Sequence, residues 1–370
     1  MTLNAAVISL GSKSSKWTAK AMKNYFRTAD MLDIREIEVN LGHKEVQVLY
    51  QGKPIEKYDC ILAKGSFRYA PLLRSITSIL SKHTYMPIEA DAFTVAHDKL
   101  ITQLILQQNG IPMPITYLAA TPDAAKKVLK KINYPIIMKF PQGTQGKGVM
   151  FADSYASASS MLDALTALRQ PFLIQEYIET GGADLRVIVV GNKVVAAMQR
   201  EASGREKRAN IHAGGTGKSV KVDPVTSKIA VKTAKLIGAD VCAVDILEGH
   251  KGPMVIEVNI SPGLQGITKT SGINVADHIA KFLHKRTKEI SEEKKKIEAK
   301  EIMKDITPEG PGKEIITGLD FRGERVLLPS ALVKETGFNE KDEVSIKVDK
   351  GKLVIEKFDV KKEEKKEKKK

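Results

Sequence analysis

The stretch Pro253–Gly263, PMVIEVNISPG, sets one acid and one amide within an apolar run that has the pattern of a strand, Met254–Ile260. Glu257 and Asn259 are two residues apart, so both side chains point to the same face of that strand. Their neighbours are almost wholly apolar, and a buried carboxylate is costly unless it is paired or binds a metal ion. The pattern therefore predicts a strand with a binding site on one face.

A second apolar run with a single acid lies just upstream, Val241–Leu247 (VCAVDIL), with Asp245 near its middle. The short turn EGHKGP between the two runs predicts that they pair as a hairpin. Such a hairpin would bring Asp245, Glu257 and Asn259 together, and three oxygen ligands suit a hard cation such as Mg²⁺ or Mn²⁺. The alternative is an amphipathic hairpin whose polar face lies in water.

The composition is typical of a globular protein. The chain has 370 residues, of which 42% are hydrophobic and 28% charged, and this length predicts about two to four domains. No apolar run approaches the roughly 18 residues of a membrane helix, and the N-terminal run lacks the basic start of a signal peptide. These two features lead us to expect no membrane partner. Cys60 and Cys242 stand far apart in the sequence, so we expect no disulfide and a cytoplasmic location.

The net charge of +15 invites a nucleic-acid partner, but its distribution weakens that interpretation. Lys361–Lys370 has seven Lys and three Glu, and Lys281–Lys300 has eight basic and four acidic residues, so each segment carries +4. More than half of the excess thus lies in two mixed-charge segments, which are typical of solvated helix or disorder.

The first 93 residues have the alternation of strands and helices that predicts a small parallel sheet with covering helices. The predicted elements are strands Ala5–Leu10, Asp33–Val39, Val46–Tyr50 and Tyr58–Ala63 and helices Lys16–Ala29 and Ala70–Ser81. Lys64–Arg68 (KGSFR) follows a strand end, where such sheets bind ligands. A plain surface loop is the alternative for this segment.

A glycine-rich loop in KFPQGTQGKGVMFA indicates phosphate binding. It lies between the predicted strands Ile136–Phe140 and Val149–Ala152, and glycines allow backbone N–H groups to approach phosphate oxygens. Lys139 lies within the first strand, where an ammonium group needs an anion such as a nucleotide phosphate. A purely structural glycine hairpin is the alternative.

Two further segments carry polar groups suited to a nucleotide and to carboxylates. Phe172–Glu179 is a strand whose end, Glu176–Ile178, offers an acid and backbone groups for an adenine edge and a ribose. The basic loop Arg205–Ser219 ends in GGTGKS but is no P-loop, because His212 occupies the position of the first glycine. The arginines able to clamp carboxylates are Arg200, Arg205 and Arg208.

These motifs, in this order, resemble the RimK family of ATP-dependent glutamate ligases within the ATP-grasp superfamily. The matching segments include HDKL with GIPMP after it, KFPQGTQGKGV, QEYIE, DLRVIVVGNKVVAAMQR, RANIHAGG, VDIL and VIEVNISPGLQGITKTSGI. The resemblance covers roughly residues 1–284 and is strongest over 134–284. It implies an α/β (α+β) fold: an ATP-grasp domain behind a small N-terminal α/β domain.

The end of the chain has a different pattern. After a linker by composition, Thr307–Gly312, the segment GERVLLPSALVKETGFNEKDEVSIKV resembles the swapped-hairpin DNA-binding domains of the AbrB kind. The predicted parts are thus 1–93 (N-terminal domain), 94–286 (ATP-grasp, with lobes 94–178 and 179–286), 287–312 (charged helix and linker), 313–360 (AbrB-like, β-rich) and 361–370 (basic tail).

The RimK resemblance also implies roles for individual residues. The residues implied to bind ATP are Lys99, Lys139, Gly143, Thr144, Gly146, Gly148, Glu176, Tyr177, Ile178, Asp184 and Arg208. Those implied to act at the reacting centre are Arg200, Arg208 and Asn210. Those implied to hold two Mg²⁺ or Mn²⁺ ions are Asp245, Glu257 and Asn259.

The implied reaction is the ATP-dependent joining of L-glutamate to an acceptor carboxylate through an acyl phosphate, with a protein tail or a coenzyme as acceptor. The AbrB likeness implies homo-oligomers, dimers or tetramers, and offers DNA as a less favoured partner. The alternative function is a DNA-binding regulator with an ATP-grasp sensor domain. The complete set of phosphate and metal residues favours the ligase, because a sensor needs no catalytic constellation.

Overall fold

The computed structural model of the protein describes residues 2–42, 46–141, 148–201, 216–306, 318, 320–323 and 325–358, with the side chains of 298–306 left aside. The chain divides into two compact units, Met1–Lys295 and Lys296–Lys370. Every site residue predicted above belongs to the first unit. Among the residues described, no helix has both the length and the apolar content that a membrane span requires.

The N-terminal part of the first unit is built on a parallel sheet. Its elements are β1 (Asn4–Ser9), α1 (Lys13–Met22), β2 (Thr28–Asp33), β3 (Ile37–Asn40), β4 (Gln47–Tyr50), β5 (Lys53–Pro54), β6 (Cys60–Ala63), α2 (Ala70–Leu80) and α3 (Ala92–Val95). The order β2-β1-β6 is parallel, and β3-β4-β5 is a separate antiparallel sheet. Ala5, Val7 and Ile8 of the central strand are fully buried (0% exposed), because a parallel sheet is covered on both faces.

The structure corrects the helix predicted over Lys16–Ala29 at both ends. α1 begins earlier, where the Ser12 side chain accepts a hydrogen bond from the Ser15 N–H (3.3 Å), and it ends at Met22. β2 occupies the end of the predicted helix and pairs with β1 along its whole length. The prediction was wrong there because pairing with a distant strand overrides the local helical pattern.

The next part is a four-stranded antiparallel sheet in the order β7-β10-β8-β9, packed against helices. Its elements are α4 (Lys99–Gln108), β7 (Thr116–Tyr117), α5 (Pro122–Leu129), β8 (Ile136–Lys139), β9 (Val149–Ala152), α6 (Tyr155–Ala167) and β10 (Leu173–Glu176). Leu129, Ile136 and Leu162 are fully buried in its separate core. The two strands predicted around the glycine loop are confirmed.

The remainder of the first unit is a five-stranded antiparallel sheet in the order β13-β12-β11-β14-β15. Its elements are β11 (Ala183–Val190), β12 (Lys193–Glu201), β13 (Thr216–Ser219), α7 (Pro224–Ile237), β14 (Val241–Gly249), β15 (Gly252–Asn259), α8 (Gln265–Ser271) and α9 (Val275–Ile306). The predicted hairpin is confirmed, with Asp245 opposite Glu257 and Ala243 opposite Asn259.

Beyond the end of α9, the described residues of the second unit form two hairpins and one short helix. Its elements are β16 (Asp320–Arg322), β17 (Arg325–Leu327), α10 (Ser330–Thr336), β18 (Val344–Asp349) and β19 (Lys352–Lys357). Val326, Ile346 and Leu353 are 47%, 55% and 57% exposed, although each is a large apolar side chain in a hairpin. An isolated two-stranded hairpin is marginal in water, so these rows need a partner surface.

We therefore predict that the second unit associates with a second copy of the chain. A chain that ends after Lys295 should keep its fold and sediment as a smaller species than the full chain. The shortened chain ends after Lys295 because it must keep Thr287 of α9, which is buried (3% exposed). Ile346→Lys in the full chain should have the same effect, while Lys350→Ala, in the exposed turn, should not. Equal sedimentation of the full and shortened chains would refute this.

Candidate active site

A cavity of about 580 Å³ in the first unit gathers the predicted site. Residues from the ends of β1 and β6, from the four-stranded sheet and from the five-stranded sheet line it. The predicted site residues that line it are Lys99, Lys139, Glu176, Tyr177, Ile178, Asp184, Arg200, Asp245, Glu257 and Asn259. Gly148 is described but is not part of this lining. The remaining predictions, Gly143, Thr144, Gly146, Arg208 and Asn210, lie outside the described residues.

A row of charged side chains crosses the five-stranded sheet on the cavity side. Asp184 on β11 lies opposite Arg200 on β12, and Arg186 on β11 lies opposite Asp245 on β14. Asp245 in turn lies opposite Glu257 on β15. Residues directly opposite in an antiparallel pair have their side chains on one face, so the register alone brings these five groups together.

The charges in this row form a network of ion pairs, in which Arg200 contacts both Asp184 and Asp245. Arg186 Nε and Nη2 donate to Asp245 Oδ1 and Oδ2 at 2.8 and 2.6 Å. Arg200 donates from Nε to Asp184 Oδ1 at 2.6 Å and from Nη2 to both Asp184 Oδ2 and Asp245 Oδ2, the latter at 3.0 Å. Both guanidinium groups are thus fork-shaped donors that hold a buried carboxylate in one orientation.

These pairs set the protonation of the acids. Burial opposes the charge of Asp245, but Arg186 and Arg200 outweigh it and lower the pKa of this carboxyl to about 2. Burial, followed by the negative charge of Asp245, raises the pKa of Glu257. Burial likewise raises the pKa of Asp184, although Arg200 is hydrogen-bonded to it. Two guanidinium groups serve three carboxylates in this row, and the deficit of positive charge falls at Glu257.

The donor set fits a divalent cation. Asp245 and Glu257 supply carboxylates from neighbouring strands, and Asn259, two residues beyond Glu257, supplies an amide oxygen that also accepts a hydrogen bond from the Ser261 N–H at 3.0 Å. Oxygen ligands of this kind select Mg²⁺ or Mn²⁺. In the described ranges, no cluster of three or more His, Cys, Asp or Glu side chains suited to a metal occurs.

Lys139 is a buried cation whose direct hydrogen-bond partner is neutral. It is 6% exposed at the end of β8, and its Nζ donates to Gln175 Oε1 at 2.8 Å. Gln175 is itself held by a hydrogen bond from its Nε2 to Thr116 Oγ1 at 2.6 Å. Burial, and then the positive charge of Lys99, lower the pKa of Lys139 from 10.5 to about 8, against the attraction of Glu257. An anion in the cavity would relieve this cost.

The far end of the cavity is formed where β10 ends. Glu176 is fixed there, because its backbone N–H donates to Ile115 O and its Oε1 accepts from the Ile115 N–H, both at 2.9 Å. Tyr177 packs edge-on against Phe151, with ring centroids 5.2 Å apart. This end therefore offers an aromatic surface and the backbone groups of Tyr177 and Ile178, as the sequence predicts for a nucleobase.

Gly148 shows why the loop between β8 and β9 requires glycine at its end. Its φ is +78°, and a Cβ placed on it would come within 2.1 Å of the Phe140 ring. The Phe140 N–H donates to Gly148 O at 3.2 Å. Both the backbone conformation and the close aromatic neighbour exclude a side chain here.

Two residues of the site, Arg186 and Gln175, escaped the sequence analysis, and for a third, Lys64, the sequence left two alternatives open. Arg186 carries a detectable signal, because it stands two residues after Asp184 and so shares its face. Gln175 has none, since a glutamine in a strand is unremarkable until its partner lysine is known. Lys64 begins the segment Lys64–Arg68, for which the sequence predicts either a ligand-binding loop or a plain surface loop.

We predict that Arg186→Met destabilises the protein, since it leaves the buried Asp245 carboxylate with Arg200 alone. Removing one partner of a buried pair costs about 3 kcal/mol. The matched control is Arg35→Met, which breaks a fork-shaped pair with Asp33 at 2.5 Å on the surface and should cost far less. Urea unfolding measures both. If both variants lost the same free energy of unfolding, the buried pair with Asp245 would contribute no more to stability than the surface pair.

A second prediction concerns the pH dependence caused by Lys139. Its folded pKa of about 8 lies below the ordinary 10.5, so the unfolded chain binds this proton more tightly than the folded protein. The cost of burying the charge is complete below pH 8 and disappears as the pH rises toward 10. The wild type should therefore gain stability relative to Lys139→Met across that interval. A stability difference that stays constant between pH 7 and 10 would contradict this.

Comparison with known proteins assigns the chain to a family. The family model for the RimK-like ATP-grasp domain matches residues 96–283. A probable alpha-L-glutamate ligase of Thioalkalivibrio sulfidiphilus is 36% identical over 294 residues, covering 77% of this chain and 97% of that protein. Its counterpart in Vibrio cholerae is 36% identical over 278 residues, covering 74% of this chain and 91% of that protein.

Solved structures agree on the fold. A RimK domain ATP-grasp protein from Sphaerobacter thermophilus has a TM-score of 0.59 at 18% identity and covers 76% of this chain and 99% of its own. The ATP-grasp ligase PsnB, solved with a precursor variant, Mg and ADP, has a TM-score of 0.60 at 17% identity, over 78% of this chain and 99% of its own. The chain therefore has an ATP-grasp fold and belongs to the RimK-like ATP-grasp family.

Proposed function

We propose that the protein is an ATP-dependent carboxylate–amine ligase that joins L-glutamate to an acceptor carboxylate, on a protein C-terminus or a coenzyme, through an acyl phosphate. One observation carries the proposal. Lys139 and the oxygen ligands Asp245, Glu257 and Asn259 line one cavity in a chain of the RimK-like family. A phosphate-binding cation and a set of hard-metal ligands are the two parts that phosphoryl transfer to a carboxylate requires.

The cavity would hold ATP along its length. Glu176–Ile178 would bind adenine and ribose at the end of β10, and Lys99 and Lys139 would contact the phosphates. A triphosphate would supply the counter-charge that Lys139 lacks in its hydrogen bond to Gln175. The relative PsnB was solved with Mg and ADP, which supports a magnesium nucleotide as ligand here.

Asp245, Glu257 and Asn259 would hold two ions, Mg²⁺ or Mn²⁺, beside the phosphates. Ions held there would supply Lewis acidity to offset the charge of the transferring phosphoryl group. Arg186 would act as a positioning residue, because Asp245 occupies its guanidinium group. The resemblance implies a role for Arg200 at the reacting centre, but Asp184 and Asp245 occupy its guanidinium group, so we propose that it too is a positioning residue. They would hold the Asp245 carboxylate ionised and oriented for metal binding.

The chemistry has two balanced steps. An oxygen of the acceptor carboxylate bonds to the γ-phosphorus while the bond to the leaving ADP oxygen breaks. The glutamate amine then bonds to the acyl carbon, loses a proton, and phosphate leaves. Lys139 would neutralise charge on the phosphoryl oxygens in the first step. Arg208 and Asn210, which lie outside the described residues, stay our predictions for the reacting centre.

L-Glutamate as amine donor is proposed from the relatives in Thioalkalivibrio sulfidiphilus and Vibrio cholerae, both named as probable alpha-L-glutamate ligases. A homo-oligomer, a dimer or tetramer, is proposed from the exposed apolar rows of the second unit. A cytoplasmic location is proposed because Cys60 and Cys242 are both unpaired and buried.

The test is mass spectrometry of cell extract incubated with the protein, ATP, Mg²⁺ and isotopically labelled L-glutamate. The labelled product is the acceptor plus one or more glutamates. Glu257→Gln should abolish labelling at saturating Mg²⁺, because losing a metal-binding carboxylate costs several kcal/mol of transition-state stabilisation. Glu292→Gln, on the exposed face of α9, is the matched control and should label normally. Equal labelling by Glu257→Gln, or equal use of glutamine, would overturn the proposal.

A further inference from the structure

Lys64 is a buried cation at the N-terminal wall of the cavity. It follows β6 directly and is 5% exposed. Its Nζ donates a single long hydrogen bond, 3.4 Å, to the backbone oxygen of Pro262. Burial lowers the pKa of Lys64 to about 8, and the hydrogen bond to Pro262 is the only polar contact of its Nζ within the described residues. At neutral pH the side chain is therefore a positive charge without a partner acid.

A purely structural role does not account for this charge. A hydrogen bond of 3.4 Å to Pro262 is longer than the usual range of about 2.7–3.2 Å. A buried ammonium held by such a contact costs more than an apolar side chain of the same length in the same place. On this argument methionine at this position should make the ligand-free protein at least as stable, and an anion that enters the cavity would account for the lysine.

The cavity that Lys64 lines also carries serine hydroxyls, of which those of Ser12 and Ser15 are hydrogen-bonded to each other at 2.9 Å. Ser9, Ser12, Ser15 and Ser66 line the same cavity, and the acids that line it come from β10, β11, β14 and β15 instead. Ser9 ends β1 and Lys64 follows β6, so both lie at the carboxyl edge of the parallel sheet. That edge is where open α/β sheets bind their ligands.

This wall adjoins the proposed metal and phosphate region. Pro262 follows Asn259 by three residues. Ser14 joins the start of α1 to the same loop, because its Oγ accepts from the Leu264 N–H at 2.8 Å and donates to Gln265 Oε1 at 2.7 Å. Lys64 therefore faces the loop after β15 rather than the end of β10, where Tyr177 lies.

We propose that Lys64 and the serine hydroxyls beside it form a subsite for a carboxylate that a substrate keeps throughout the reaction. The proposal rests on the proposed function, in which both the amine donor and the acceptor carry carboxylates. An anion there would complete the charge of Lys64 and fix the substrate at a point remote from its reacting atom. Lys64 would then determine specificity for acidic substrates without taking part in bond making.

Calorimetric titration of the full chain, loaded with Mg²⁺ and a non-hydrolysable ATP analogue, tests this. One probe is L-glutamate, the amine donor. The other is N-acetyl-L-glutamyl-L-glutamate, which has no free amine and stands for an acidic acceptor. Lys64→Met should weaken the binding of at least one probe by about tenfold or more, as expected for loss of a buried charge partner. Lys64→Arg should restore most of it, and the affinity for the nucleotide should not change.

Two measurements separate a binding role from a structural one. Without ligands, Lys64→Met should melt at the wild-type temperature or above it, since an uncompensated charge is removed. Lys53→Gln, an exposed lysine on β5 outside the cavity, should change neither melting nor binding. Lys64→Gln keeps a donor for the Pro262 oxygen and serves as the second variant if Lys64→Met does not fold.

A loss of affinity in Lys64→Met that is confined to L-glutamate assigns the subsite to the amine donor. A loss confined to the acetylated dipeptide assigns it to the acceptor. If the wild type binds the dipeptide through Lys64 but not L-glutamate, glutamate as donor fails while the subsite stands. If both probes bind the wild type and Lys64→Met equally, or if neither binds the wild type, the subsite is overturned, whatever the labelling experiment finds.

Discussion

Charge buried within the five-stranded sheet has to be balanced inside that sheet, and the rest of the site depends on how this is done. Asp245 is 3% exposed, yet both of its oxygens are held by guanidinium groups, that of Arg186 on the adjacent strand β11 and that of Arg200 on β12. Because Arg186 lies directly opposite Asp245, the strand register itself delivers the partner. A slip of one residue would turn every side chain of the strand to the other face and leave the carboxylate unpaired.

At other points of the cavity, the described residues compensate the buried charges only in part. Glu257 lies opposite Asp245 without a guanidinium of its own, while Lys139 and Lys64 are buried against a neutral amide and a carbonyl oxygen. Each of these groups lowers the stability of the ligand-free protein. Our proposals place a ligand at each of these points, where it would complete the charge, and such a trade of stability for function is common.

The second unit follows a different constraint, the shortage of core. In the residues described there, hairpins β16–β17 and β18–β19 carry large apolar side chains that are about half exposed, among them Val326 and Ile346. The first unit needs no such help, since Val187, Val244 and Val255 of its central strands are fully buried. Our proposals therefore place the chemistry in the first unit and assembly in the second.

Local pattern was sufficient for several of the strands and turns, although the predicted strand Asp33–Val39 is interrupted by a 3-10 turn at Ile34–Glu36. The hairpin with Asp245 and Glu257 and the strand that carries Lys139 follow from alternation and turn composition, which are local properties. The pairing of Arg186 with Asp245 and the burial of Lys64 do not. They depend on the strand orders β12-β11-β14-β15 and β2-β1-β6, which bring together residues far apart in the chain, and the same non-local pairing turned the end of a predicted helix into β2.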